Sequence, residues 1–176
     1  MINDQLTRLS GTLVAGVDTP QTLTVTANLA YYSENALDLR NPTNVSGGTT
    51  TTQMRDIGEG EDLFAVLTVA TNTTLGNGVT IDVIMSDDLA ATNAIVVGTF
   101  GTLTTTAVTG DLGVSGRHFV ARINPRLRSL GTTYRYLQIR YTNGVTTALG
   151  QGKVYVDIVT DIYDSQKFYG SGFTVT

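Results

Sequence analysis

GTTYRYLQIRYTNGVTTALGQGKVYVDIVTDIYD, residues 131–164, contains two strand-like runs joined by a polar loop rich in Gly and Thr. In the first run, residues 134–141, Leu137, Ile139 and Tyr141 alternate with Tyr136, Gln138 and Arg140. In the second, residues 153–161, Val154, Val156 and Ile158 alternate with Tyr155 and Asp157. A period of two places each apolar set on one face of an extended chain and the polar set on the other. β-branched and aromatic residues dominate both runs, as a half-buried pleated surface favours. Two adjoining runs of this kind predict an antiparallel pair inside a sandwich or jelly roll.

Moving towards the N-terminus, RHFVARIN (117–124) repeats the alternation with Phe119, Ala121 and Ile123 against His118, Val120 and Arg122. AIVVGTF (94–100) and VTIDVIMS (79–86) are further strands. LFAVLTVAT (63–71) is apolar on both faces except at Thr68, which predicts a strand in the middle of the sandwich. TLTVTAN (22–28) reads as a strand, and 101–116, mostly Thr and Gly, as room for one weak edge strand. Residues 11–20 read as a turn region, 31–40 as either a helical turn or a lead into a short strand, and 41–53 as a loop. No sustained 3.6-residue apolar period occurs. The expected fold is therefore all-β, a β-sandwich or jelly roll of about eight antiparallel strands. It forms one domain over residues 1–176, with residues 1–20 as a candidate N-terminal arm.

Composition supports this class. Of 176 residues, 41% are hydrophobic and only 15% charged, well below the roughly 25% charged residues of an average domain. Threonine, at 31 positions, takes up the difference, and its branched Cβ suits either face of a sheet. The net charge of −4 argues against nucleic-acid binding, which calls for a basic stripe. There is no cysteine, so there is neither a disulfide framework nor a thiolate metal site. No apolar run approaches the roughly 20 residues of a membrane-spanning helix, and residues 1–20 make a poor signal peptide, which predicts a protein assembled where it is made.

Catalytic constellations are sparse. His118 is the single histidine and no nucleophile-elbow motif accompanies it, so it reads as a surface strand residue. Carboxylates gather at Asp56, Glu59, Glu61 and Asp62 and again at Asp157, Asp161 and Asp164, without the spacing of a calcium loop. Neither a cofactor nor a metal is expected, and the chain is not expected to be an enzyme. Arginine outnumbers lysine nine to two, and Arg117, Arg122, Arg126, Arg128, Arg135 and Arg140 lie close together in the chain. Guanidinium is the cation favoured at protein interfaces, so Arg55, Arg126, Arg128 and Arg135 are candidate partner contacts. Phe168, Tyr169 and Phe173 in the tail are candidate aromatic anchors.

Four segments in order, RDIGEGEDLFAVLTV (55–69), TIDVIMSDD (80–88), RYLQIRYT (135–142) and GKVYVDIVTDIYDSQKFYGSGFTVT (152–176), resemble the capsid cement, or decoration, proteins of tailed bacteriophages. Each segment is short and built of common β residues, and it is their order together with the Tyr-Gly-Ser-Gly-Phe ending at 169–173 that carries the resemblance. Before Arg55 the resemblance is confined to Asp38–Arg40, and the Thr-rich 101–116 is longer than it leads one to expect. The resemblance implies a jelly-roll virion protein, assembled in the host cytoplasm, that binds the outer surface of an icosahedral head. Its implied partners are the major capsid protein and further copies of itself, as a dimer or trimer. It implies no catalytic residue and no cofactor. Residues 1–10 and 41–53 and the Arg126–Arg128 turn are the expected contact regions. The competing expectation is a carbohydrate- or receptor-binding sandwich of a phage tail or cell surface, for which Tyr31, Tyr32, Tyr136 and Tyr155 are the available platform residues.

Overall fold

The computed structural model describes residues 7–14, 17–23, 29–39, 62–72, 78–104, 111–123, 134–143 and 152–160. Twelve strands run through them: β1 (Arg8–Ser10), β2 (Thr12–Val14), β3 (Val17–Thr19), β4 (Gln21–Thr22), β5 (Ala30–Tyr32) and β6 (Leu37–Asp38) are short. The long ones are β7 (Leu63–Thr71), β8 (Val79–Ser86), β9 (Ile95–Leu103), β10 (His118–Ile123), β11 (Tyr136–Asn143) and β12 (Lys153–Val159). One 3-10 turn, Asp111–Gly113, is the single helical element among the described residues. The chain is an antiparallel all-β sandwich, as its alternating pattern predicts.

The first sheet has the order β1-β12-β7-β10, with β4 also on β12; the second has the order β5-β11-β8-β9, with β6 also on β11. Apolar residues of both sheets meet in one core. The first sheet contributes Leu9, Ala65, Leu67, Val69, Ala121, Ile123, Val154, Val156 and Ile158. Val79, Ile81, Val83, Met85, Leu137, Ile139 and Tyr141 face them from the second. β7 lies between β12 and β10, an interior strand of its sheet, as its apolar run predicts.

One expectation is overturned here. β11 and β12 do not pair with each other: β11 is bonded to β8, β5 and β6, whereas β12 is bonded to β7, β1 and β4. The two runs are neighbours in the chain but lie in opposite sheets. Alternation alone does not distinguish the two arrangements, because either one buries Leu137, Ile139, Val154 and Val156 on an inward face.

The N-terminal residues also differ from expectation. Arg8–Ser10 is no loose arm but an edge strand of the first sheet, with all three residues buried. Residues 11–20 are no simple turn either, because β2 and β3 form a separate two-stranded sheet there. Of the expected strand 22–28, Thr22 lies in β4 and residues 24–28 fall outside the described residues. The 101–116 stretch supplies the end of β9 and the 3-10 turn rather than a separate edge strand among its described residues.

Polar side chains close the open side of the sandwich. Gln21, fully buried, donates to the Tyr32 carbonyl at 3.0 Å and accepts from the Glu34 amide at 3.2 Å, so its amide group bridges the two sheets. Ser10 of the first sheet and Tyr141 of the second share a 2.6 Å hydrogen bond inside the core. Burial pushes the Tyr141 phenol well above its usual range, so it remains a neutral donor and acceptor. On the opposite side β9 and β10 approach closely: a Cβ at Gly98 would lie 2.7 Å from the Arg122 carbonyl oxygen. Glycine is the residue that admits this approach.

Candidate interaction surfaces

The strand registers give each sheet an outward face ordered in cross-strand rows. On the first sheet the rows are Tyr155–Thr68–His118, then Arg8–Asp157–Val66–Val120, then Val159–Phe64–Arg122. Phe64, Val66, Val120 and Val159 form its apolar part, with Val120 39% exposed, Phe64 and Val159 half-buried and Val66 buried. His118 and Arg122 border this part on β10; His118 Nδ1 and Thr68 Oγ1 share a 2.9 Å hydrogen bond, and Arg122 donates to Asp62 at 2.6 Å.

A buried ionic cluster occupies the other side of this face. Arg8, 3% exposed, donates through Nε and Nη2 to the two carboxylate oxygens of Asp157 at 2.9 and 3.4 Å and through Nη1 to Asp18 of β3. Its guanidinium lies over the Tyr155 ring at 4.8 Å, and the Tyr155 hydroxyl donates to the Asp18 carbonyl at 3.3 Å. Gly11, at φ 93°, carries the chain from β1 into this cluster, where a Cβ would lie 2.8 Å from the Tyr155 ring. Burial alone would lower the Arg8 pKa, but the two carboxylates outweigh it and hold the cation above its ordinary value. Burial raises the Asp157 pKa, and the hydrogen bond from Arg8 offsets only part of the rise.

The outward face of the second sheet has a different chemistry. Its rows are Ala30–Thr142–Thr80–Thr102, Tyr32–Arg140–Asp82–Thr99 and Gln138–Ile84–Val96. Arg140 donates to Asp82 at 2.8 Å, directly across β11 and β8, while its buried Nε has no hydrogen-bond partner among the described residues. Thr80 and Thr102 share a 2.9 Å hydroxyl hydrogen bond. At the end of the face Ser86 donates to the Asp88 carbonyl and Gln138 to the Leu89 carbonyl, which ties down the β8–β9 loop.

The expected contact residues separate sharply. Arg135 donates twice to Asp38, at 2.9 and 2.6 Å, and its guanidinium lies 5.0 Å from the centre of the Tyr136 ring. Each of the five described arginines, Arg8, Arg117, Arg122, Arg135 and Arg140, is ion-paired within the chain, so the described members of the run do not form a single cationic patch. Arg55, Arg126, Arg128, Phe168, Tyr169 and Phe173 lie outside the described residues, as do residues 41–53. The four tyrosines divide as well: Tyr31 packs inward beside Tyr141, Tyr155 lies under Arg8, and Tyr32 and Tyr136 face outward from the second sheet. Sequence reading missed the Arg8–Asp18–Asp157 cluster, whose members are spread over most of the chain.

Among the described residues no group of three or more His, Asp or Glu side chains is placed to hold a metal ion. Of the two carboxylate groupings seen in sequence, only Asp62 and Asp157 are described, and each bonds an arginine. No known protein family matches the chain, and no curated protein is significantly similar to it.

Proposed function

We propose that this chain is a structural virion protein, a decoration protein that binds the outer surface of an icosahedral phage head and clamps neighbouring capsomers. The observation that carries this reading is the apolar area on the outward face of the first sheet, where Val120 is exposed and Phe64 and Val159 are half-buried around a buried Val66, bordered by Arg122 and His118. A row of apolar side chains on a solvent-side sheet face is the kind of surface that a protein partner covers.

The resemblance to decoration proteins supports the same reading. The described parts of its four motifs run along β7, β8, β11 and β12, which are the inner strands of the two sheets. Those residues speak for a shared scaffold. We read the strand order β1-β12-β7-β10 facing β5-β11-β8-β9 as a jelly roll, two antiparallel Greek-key sheets wrapped on one core. In this reading the sandwich is a rigid platform, and copies joined as a dimer or trimer bind the lattice of major capsid proteins through several weak contacts at once. Such avidity exceeds the affinity of any one contact without new chemistry.

The experiment mixes purified protein with undecorated expanded phage capsids, pellets them and counts bound copies. Saturable binding at a fixed ratio to the major capsid protein is the expected result. Val120→Glu, which places a charge in the apolar row, and Arg126→Ala/Arg128→Ala in the expected contact turn should each lower occupancy while leaving the circular dichroism spectrum unchanged. Absence of binding by folded protein refutes the reading, and full occupancy by both variants refutes the assigned surfaces.

A further inference from the structure

We infer that the outward face of the second sheet is a binding surface for a neutral oligosaccharide. This inference does not depend on the capsid reading, which concerns the opposite face. It starts from the row Tyr32–Arg140–Asp82–Thr99 and the adjacent row Ala30–Thr142–Thr80–Thr102. Strands about 4.8 Å apart give each row a width of about 14 Å, and the rows lie about 7 Å apart along the strands.

The groups along these rows are those that sugars require. Arg140 supplies donors and Asp82 acceptors, and they sit directly opposite each other at 2.8 Å, with Asp82 buried and the Arg140 head partly exposed. A vicinal diol both donates and accepts, so it complements such a pair side by side. The pair is charge-compensated, which favours a neutral ligand over an acidic one. Thr142 adds a hydroxyl, Thr80 and Thr102 share one hydroxyl hydrogen bond and keep further acceptor capacity, and Thr99 is held by the Ile81 carbonyl and the Gly101 amide. Tyr32, half-buried at the end of its row, presents an amphipathic ring of the kind that packs against the C–H face of a sugar. Apart from Ala30, neither row contains an apolar side chain other than that aromatic ring, and the next row of the same face, Gln138–Ile84–Val96, adds the exposed Val96 beside them.

The test applies the full chain to an array of bacterial surface oligosaccharides, neutral and acidic, followed by titration calorimetry with the best binder. Tyr32→Ala should weaken binding by about tenfold or more, the loss of one aromatic contact. Thr80→Val/Thr102→Val keeps the β-branched shape and removes two hydroxyls, so it should weaken binding while the melting temperature holds. Signal no higher than that of an unrelated β-sandwich control, preference for acidic glycans, or binding that survives both variants would each overturn the inference. Because capsid binding is read by pelleting, loss of either activity is seen separately from the other.

Discussion

Replacement of Arg8 by methionine tests the energetics of the buried ionic cluster most directly. Met preserves much of the stem volume but removes the cation, leaving Asp157 on a face where it is 9% exposed. Arg8 meets the Asp157 carboxylate at 2.9 and 3.4 Å. Opposite charges about 4 Å apart attract by about 4 kcal/mol at an effective dielectric near 20. Removing one partner of a buried pair costs about 3–5 kcal/mol by experiment, the same range. Asp18 is half-exposed and returns to water, so the loss falls mainly on Asp157.

The pH dependence of this variant follows from the direction of the Asp157 shift. Burial raises its folded pKa above the ordinary 3.8 and Arg8 opposes the rise, so without Arg8 the folded pKa climbs further. A carboxylate whose pKa is higher folded than unfolded penalises the fold above its folded pKa, and the penalty disappears as pH falls towards the unfolded value. Urea denaturation followed by circular dichroism should therefore show Arg8→Met less stable than the parent by about 3–5 kcal/mol near neutral pH, with a distinctly smaller deficit at about pH 4.5. Arg8→Met/Asp157→Leu should return to within about 1 kcal/mol of the parent, because no unpaired charge remains. A single variant within about 1 kcal/mol of the parent at neutral pH, or a double variant no more stable than the single, would refute the reasoning.

Three further outcomes follow from other contacts. Tyr141→Phe leaves the Ser10 hydroxyl unpartnered in the core and should cost about 1–3 kcal/mol, whereas Ser10→Ala/Tyr141→Phe should cost less than the two single changes added together; a double-mutant cycle by urea denaturation measures the coupling. Gly98→Ala drives a methyl into the Arg122 carbonyl and should destabilise by about 1–3 kcal/mol, while Ala at Gly101, where φ is +79° but nothing lies within 4 Å, meets only backbone strain; paired thermal melts separate the two causes. Asp111 is held below the usual carboxylate range by the Thr104 amide and hydroxyl and by Arg117, so the stability it contributes is present above the ordinary value and lost as pH falls through the lowered one. Asp111→Asn should accordingly flatten the acid limb of the stability profile, read from melting temperatures below about pH 4.

The long strands are legible because each carries its own signal. Leu63–Thr71 and Val79–Ser86 begin and end where the apolar runs do, and β10, β11 and β12 lie within two residues of theirs. Their spacing by turn residues is enough for an all-β sandwich. The short N-terminal strands carry no such signal. Arg8, Ser10 and Gln21 are buried, yet nothing in their neighbourhood marks them as interior. They belong inside because partners more than ten positions away, Asp157, Tyr141 and the Tyr32 carbonyl, satisfy their polar groups. The candidate surfaces were legible only as residue types. Sequence proximity grouped the arginines, whereas strand register assigned Arg122, Arg135 and Arg140 to separate aspartates and brought Tyr32, Arg140, Asp82 and Thr99 into one row.

The amino-acid sequence by itself determined which residues extend and which faces of the long strands are apolar, because a period of two is a local property of the chain. Pairing is not local. Whether β11 bonds to β12 or to β8 depends on which partner lets both apolar faces close over one core, and either choice satisfies the alternation equally well. Only the tertiary structure decided that, and with it the burial of Arg8 and which side chains share each outward face.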